Sequence, residues 1–146
     1  MAKINDAGEI RDALLAAKTI AVVGCSPNPA RPSNSISRYL IGMGYEVIPV
    51  NPGHRELLGL PCYRDLDAIP AEKKIDVVDV FRRSEHVAAI AEAARRRGGV
   101  KLFFMQDGVY DLVAARALAA DGIAVAMDRC IYRDRETLRY DGVLAD

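Results

Sequence analysis

The chain has 146 residues, 51% of them hydrophobic, with 20 basic and 20 acidic side chains and a formal net charge of zero. That length suits a single domain over residues 1–146 with a real core, and the composition excludes a disordered chain. The charge balance removes the bulk electrostatic drive toward nucleic acid or an anionic membrane.

The N-terminus, MAKINDAGEIRDALLAAKTIAVVG, carries charges throughout and lacks the apolar core of a signal peptide. Its segment EIRDALLAA predicts a helix. TIAVVG (19–24) is β-branched and continuous, as expected of a strand covered on both faces. GCSPNPARPS follows, then SNSISRYLIGMG, a helix with Ile36, Tyr39, Leu40 and Met43 on one face, Ser33 as its N-cap and Gly44 as its stop. EVIPV (46–50) is a second strand, in which Pro49 belongs at the last turn or at a bulge because it lacks an N–H. YRDLDAIP predicts a short helical turn before the third strand, DVVDVF (76–81). SEHVAAIAEAARRRGG predicts a helix capped by Ser84, with arginines at the negative end of its dipole. KLFFM (101–105), the helix VYDLVAARALAADG and IAVAM (123–127) complete the pattern. Strands alternating with helices predict an α/β fold: a three-layer, Rossmann-like open parallel sheet of five strands in the order 3-2-1-4-5.

Ligands of such sheets bind beyond the carboxyl ends of the strands. Those ends lead here into GCSPNPARPS, NPGHR, RRS, QDG and DRC, so arginines, prolines and glycines collect at one edge. Gly24 permits a tight turn, and the start of the next helix offers N–H groups to a phosphate. Arg31 adds a cation, while Pro27, Pro29 and Pro32 stiffen the loop. The loop lacks the G-x-G-x-x-G of a dinucleotide site. Asn51 stands where NAD-binding chains carry an acid, and Arg55 leaves an NADP site open. Arg82 directly after a buried strand is unexpected for a core and points to the same edge, as do Gln106 and Gly108. Asp79, inside the third strand, calls for an ion pair.

VVGCSPNPARPSNSISRYLIGMGYEVIPVNP, DVVDVFR, FMQDGV and MDRC, in this order and spacing, resemble the small stand-alone CoA-binding proteins. Those are similar to the N-terminal Rossmann domain of the succinyl-CoA synthetase α subunit. The resemblance implies coenzyme A as ligand, with Gly24, Ser26, Arg31 and Ser33 around its phosphates. It further implies Asn51 and Pro52 along the nucleotide, Phe81 and Arg82 along the next stretch of the cleft, and Gln106 and Gly108 on the pantetheine side. Pro32 and Cys25 belong to the same loop. Cys25 departs from the small inert residue often found there. Near a helix start and Arg31 its thiol pKa would fall, which would allow a mixed disulfide with CoA, but an unreactive small residue packed under the loop is the favoured reading. The tail IYRDRETLRYDGVLAD is not specific to the family.

The three cysteines are scattered, with neither a disulfide framework nor a zinc spacing. A cytoplasmic protein with reduced thiols is expected, with no metal. Of the two histidines, His86 falls near a helix start on the surface and His54 on the second strand-end loop. Neither has a nucleophile or carboxylate partner in sequence, so no catalytic residue is assigned. The expectation is a CoA or acyl-CoA binder acting as carrier, sensor or regulator, its protein partner unidentified. An enzyme acting on an acyl-CoA or NADP-linked substrate and an interaction module without a small ligand are the alternatives.

Overall fold

A computed structural model describes residues 1–140. The apolar runs form β1 (Thr19–Val23) and β2 (Glu46–Val50), then a short antiparallel hairpin of β3 (Glu56–Leu57) and β4 (Leu60–Pro61). β5 (Val77–Val80), β6 (Leu102–Met105) and β7 (Ala124–Ala126) follow. Every pairing in the main sheet is parallel, and its order is β2-β1-β5-β6-β7. The α/β class and the five-stranded parallel sheet are as the sequence predicts.

The strand order differs from the expected 3-2-1-4-5: numbered along the chain, the five strands lie 2-1-3-4-5. The place outside β2 is taken by Tyr63 alone, bridged to Val50. Its N–H donates to the Pro49 carbonyl (3.2 Å), and its own carbonyl accepts from Asn51 N–H (2.8 Å). One bridged residue carries no apolar run, so the sequence pattern assigns the outer position to Val77–Val80, which in fact crosses to the far side of β1. Pro49 is the penultimate residue of β2, and its carbonyl faces outward to Tyr63. Its missing N–H therefore faces the sparsely paired edge, where no full ladder is interrupted.

Helices cover both faces. Alternate strand residues, such as Val23, Val50, Val80 and Met105, pack against α3 (Val87–Arg97) and α4 (Leu112–Ala120). The opposite set, including Ile20, Val22, Val47 and Phe104, packs against α1 (Ala7–Ala16), α2 (Pro32–Gly42) and α5 (Ile131–Tyr140). Because every strand is buried on both sides, its sequence is apolar throughout rather than alternating. At the far edge Ile4 bridges Val125, and the Asn5 side chain bonds both the N–H (2.7 Å) and the carbonyl (3.0 Å) of Met127. The N-terminal segment thus covers the edge of β7.

Two helix starts differ from expectation. α2 begins at Pro32, whose fixed φ suits the first helical position and whose missing N–H removes a donor that would have no partner there. Ser33 is therefore not the cap. Its hydroxyl turns inward and accepts from Ser26 N–H at 2.9 Å. α3 begins at Val87 after a 3-10 turn, Ser84–His86, and Ser84 accepts instead from Tyr110 N–H at 3.0 Å. The expected turn in YRDLDAIP forms as a 3-10 turn at Leu66–Ala68.

Asp79 has no ion pair. It is fully buried between Val22 and Phe104, and neither carboxylate oxygen has a partner. Burial pushes its pKa well above the ordinary carboxylate range. The tail after Cys130 becomes α5, anchored by the buried Arg135, whose guanidinium lies 5.5 Å from the Tyr45 ring centre. The rest of that tail, residues 141–146, lies outside the described residues.

Candidate functional site

The chain leaves β1 through α2 toward β2, and leaves β5 through α3 toward β6 on the other side. The direction of winding therefore reverses between β1 and β5. A crevice must open at that point, beyond the strand ends and between the starts of α2 and α3. It holds a cavity of about 470 Å³. Gly24, Ser26, Arg31, Pro32 and Ser33 form one wall, and Phe81, Arg82, Arg83 and His86 form the other. Both helix starts turn their positive dipole ends toward it.

Gly24 shapes this crevice. Its φ is +89°, and its N–H donates to the Val50 carbonyl at 2.9 Å. The next residues close on themselves: Asn28 N–H donates to Ser26 Oγ (3.0 Å), Ala30 N–H to Asn28 Oδ1 (3.0 Å) and Arg31 N–H to the Asn28 carbonyl (3.0 Å). Asn34 Nδ2 holds the Ser26 carbonyl at 2.9 Å. The loop is thus rigid through internal bonds as well as through its prolines, and most of its N–H groups face inward.

Positive charge in the crevice comes from side chains instead. The Arg31 and Arg82 guanidinium groups have no hydrogen bond or ion pair to any described residue, and no carboxylate lines the cavity. Arg83 and His86 lie 3.9 and 3.8 Å from Glu85, itself largely exposed. Two free guanidinium groups thus flank a preformed hollow between two helix starts.

The other predicted residues occupy distinct places. Asn51 does not reach out to a ligand: its Nδ2 donates to the Cys25 carbonyl (2.9 Å) and its Oδ1 accepts from Gly53 N–H (2.8 Å), tying the first two strand-end loops together. Pro52 lies next to the crevice, lining two neighbouring hollows. Gln106 is buried, and its Oε1 accepts from Ile131 N–H (3.1 Å) at the start of α5. Gly108 donates to Asp128 Oδ1 at 2.7 Å. Both stand on the same sheet edge outside the cavity wall, and the Gly108 carbonyl accepts from Ser84 Oγ at 3.5 Å.

Cys25 follows the favoured reading, a thiol packed under the loop. It is fully buried, its thiol packs 3.6 Å from Ser37 Oγ, and burial pushes its pKa up. The sulfur lies beneath the loop against the first turns of α2, 3.9 Å from the Ser33 carbonyl, and burial outweighs the lowering by its Ser37 contact. A mixed disulfide at Cys25 is not supported. Cys25 and Cys62 are both free thiols.

Sequence reasoning missed Arg83 and His86. The signal was present: after Arg82 the chain turns within one 3-10 step, which brings His86 round to the same hollow. His54 instead joins Arg55 and Arg64 in a separate basic hollow of about 480 Å³. Among the described residues no cluster of metal-ligating side chains forms, and no helix is long and apolar enough to cross a membrane.

The profile of a family described as CoA binding domain matches residues 18–136. An uncharacterized Bacillus subtilis protein, YneT, is 40% identical over 123 residues, 84% of this chain and 89% of the relative. A hypothetical protein from Pyrococcus horikoshii shares the fold at a TM-score of 0.85 and 36% identity, over 92% of each chain. The dinucleotide-forming acetyl-coenzyme A synthetase 1 of Ca. Korarchaeum cryptofilum matches at a TM-score of 0.69 and 26% identity. That match spans 80% of this chain and 27% of the synthetase.

Proposed function

The chain belongs to the CoA binding domain family, and on that premise we propose that it binds coenzyme A or an acyl-CoA with the diphosphate in the crevice between α2 and α3. The observation that carries this placement is the pair of free guanidinium groups, Arg31 and Arg82, on opposite walls of one hollow that no carboxylate lines. The diphosphate bridges the two arginines, with the N-terminal dipoles of α2 and α3 adding to their field. The Gly24 turn keeps the floor low enough for phosphate oxygens to approach the backbone. Arg83 and His86 widen the cationic wall toward the pantetheine side, where Gln106 and Gly108 continue the edge. The role is that of a cytoplasmic carrier, sensor or regulatory partner rather than a catalyst.

Calorimetric titration with CoA, acetyl-CoA, NAD, NADP and ATP tests the reading. CoA is expected to bind most tightly, and Arg31→Ala to weaken it by roughly tenfold or more, the scale of one charge-assisted contact of ~1.5–3 kcal/mol. Binding of NADP in preference to CoA would overturn the assignment. Equal CoA affinity in Arg31→Ala would remove the crevice from the site.

A further inference from the structure

The carboxyl edge of the sheet differs in character on the two sides of the crevice. Beyond β2, the hollow of about 480 Å³ carries His54, Arg55 and Arg64, and no carboxylate lines it. Beyond β6 the chain turns through Gly108 and presents apolar side chains to solvent: Tyr110 is 59% exposed, Leu112 46% and Val113 79%. None of the three belongs to either half of the core. The backbone that carries them is already satisfied. Asp111 caps α4 by accepting from Ala114 N–H (3.0 Å), and Tyr110 N–H donates to Ser84 Oγ (3.0 Å). Ser84 lies between Arg83 and His86, which wall the crevice, so the apolar cluster is continuous with that wall.

Single exposed apolar residues need no explanation, but several gathered in one place mark a contact surface. The proposed ligand divides in the same way as the edge. Its charges lie in the nucleotide half, its pantetheine arm is neutral, and an acyl group at the end of that arm is apolar. With the diphosphate in the crevice, the remaining phosphate is drawn to the basic side beyond β2. The neutral arm then leaves on the other side, past Gly108, and its end meets Tyr110 and Val113. A free thiol or an acetyl group gains little there. We propose that the preferred ligand is an acyl-CoA whose acyl group is an apolar chain of several methylenes, laid across Tyr110, Leu112 and Val113. The inference rests on the CoA-binding reading above and adds the class of acyl group. A chain in this position leaves water together with side chains that otherwise stay wetted. The Tyr110 ring supplies a flat apolar face while its hydroxyl keeps its contact with solvent.

The experiment is calorimetric titration of the full chain with CoA and with acetyl-, butyryl-, hexanoyl- and octanoyl-CoA, each below its micellar concentration. A fully buried methylene is worth about fourfold in affinity, and an open surface covers each one only in part. Affinity is therefore expected to rise along the series, by roughly tenfold or more from acetyl to octanoyl. In the double variant Tyr110→Ser/Val113→Ser that rise is lost, while free CoA binds as it does to the parent. Equal affinity across the acyl series in the parent, or a rise that persists in the variant, overturns the acyl surface and leaves the crevice standing. Equal affinities together with a parent dimer that dissociates in the variant, read by analytical ultracentrifugation, assign the patch to a second copy instead. Failure of the parent to bind CoA or any acyl-CoA overturns the CoA reading and this inference with it. Thermal unfolding checks that the double variant folds. Val113→Glu, at the most exposed of the three positions, repeats the comparison if it does not.

Discussion

A methyl group added at position 24 would lie 2.8 Å from the Phe81 carbonyl oxygen and 2.9 Å from Arg82 Cδ, on a backbone with φ of +89°. Gly24→Ala therefore meets both a strained conformation and a backbone clash. It is expected to cost about 1–3 kcal/mol in urea unfolding and to weaken CoA binding by displacing Arg82. Full CoA affinity in this variant would separate the turn from the site. Asp79 makes a different prediction, because its folded pKa is raised above its unfolded one. As pH rises through the ordinary Asp value near 3.9 the unfolded chain releases a proton that the native chain keeps. Stability from this group is thus highest in acid and declines with rising pH until the folded pKa is reached. Asp79→Asn removes that decline. The variant should gain on the parent protein between pH 4.5 and pH 8 in urea unfolding, and a constant difference across that range would contradict a raised Asp79 pKa.

At the scale of elements, the three arginines that end α3 do more than oppose its dipole. Arg97 donates to the carbonyls of Leu66 (3.0 Å), Ile69 (3.1 Å), Pro70 (2.6 Å) and Lys73 (2.9 Å), so one fork gathers the whole connection between Tyr63 and β5. Arg95 pairs with Asp121 after α4, and Arg96 with Asp67. These exposed pairs contribute little individually. The Arg97 clamp is half-buried and gives a charged donor to four carbonyls of a segment with little regular structure. Arg97→Lys keeps the charge but replaces a planar fork by one ammonium, which cannot meet four acceptors on two sides. It is expected to lose about 2–4 kcal/mol in urea unfolding. A loss below ~0.5 kcal/mol would show that the dipole, not the clamp, is the arginine's main contribution.

At the scale of the molecule, the crevice exists because α2 and α3 cover opposite faces of one sheet. Each wall comes from a different layer, so neither half can unfold while ligand spans both. CoA should accordingly stabilise the domain as a unit: at about 100 times Kd the gain is ~2.7 kcal/mol, or roughly 5–10 °C in Tm. Loss of that shift in Arg31→Ala, with the unliganded Tm unchanged, would place the effect in the crevice rather than in general stability. The strand order matters for the same reason. With β1 and β5 adjacent, Gly24 and Phe81 come from neighbouring strand ends, and Arg31 faces Arg82 across a single gap.

The residues themselves determined the five strands and the flanking helices, and they set Arg31 and Arg82 at the edge where the strands end. Apolar runs of strand length and helical periodicity are local signals, and a charged residue directly after a buried strand is conspicuous in one dimension. Tertiary structure decided the rest. A lone bridging residue such as Tyr63 leaves no periodic trace, so the side of β1 on which the third strand lands followed from packing. Ser33 gave way as cap to Pro32, whose ring fixes the helix start. Whether a thiol or a carboxylate faces solvent, a partner or the core depends on what folds over it. Cys25 lies sealed beneath its loop, and Asp79 lies buried without a partner. The crevice has the same origin, since its walls come from the loop after β1 with the start of α2 and from the turn after β5, distant in sequence and joined only by the fold.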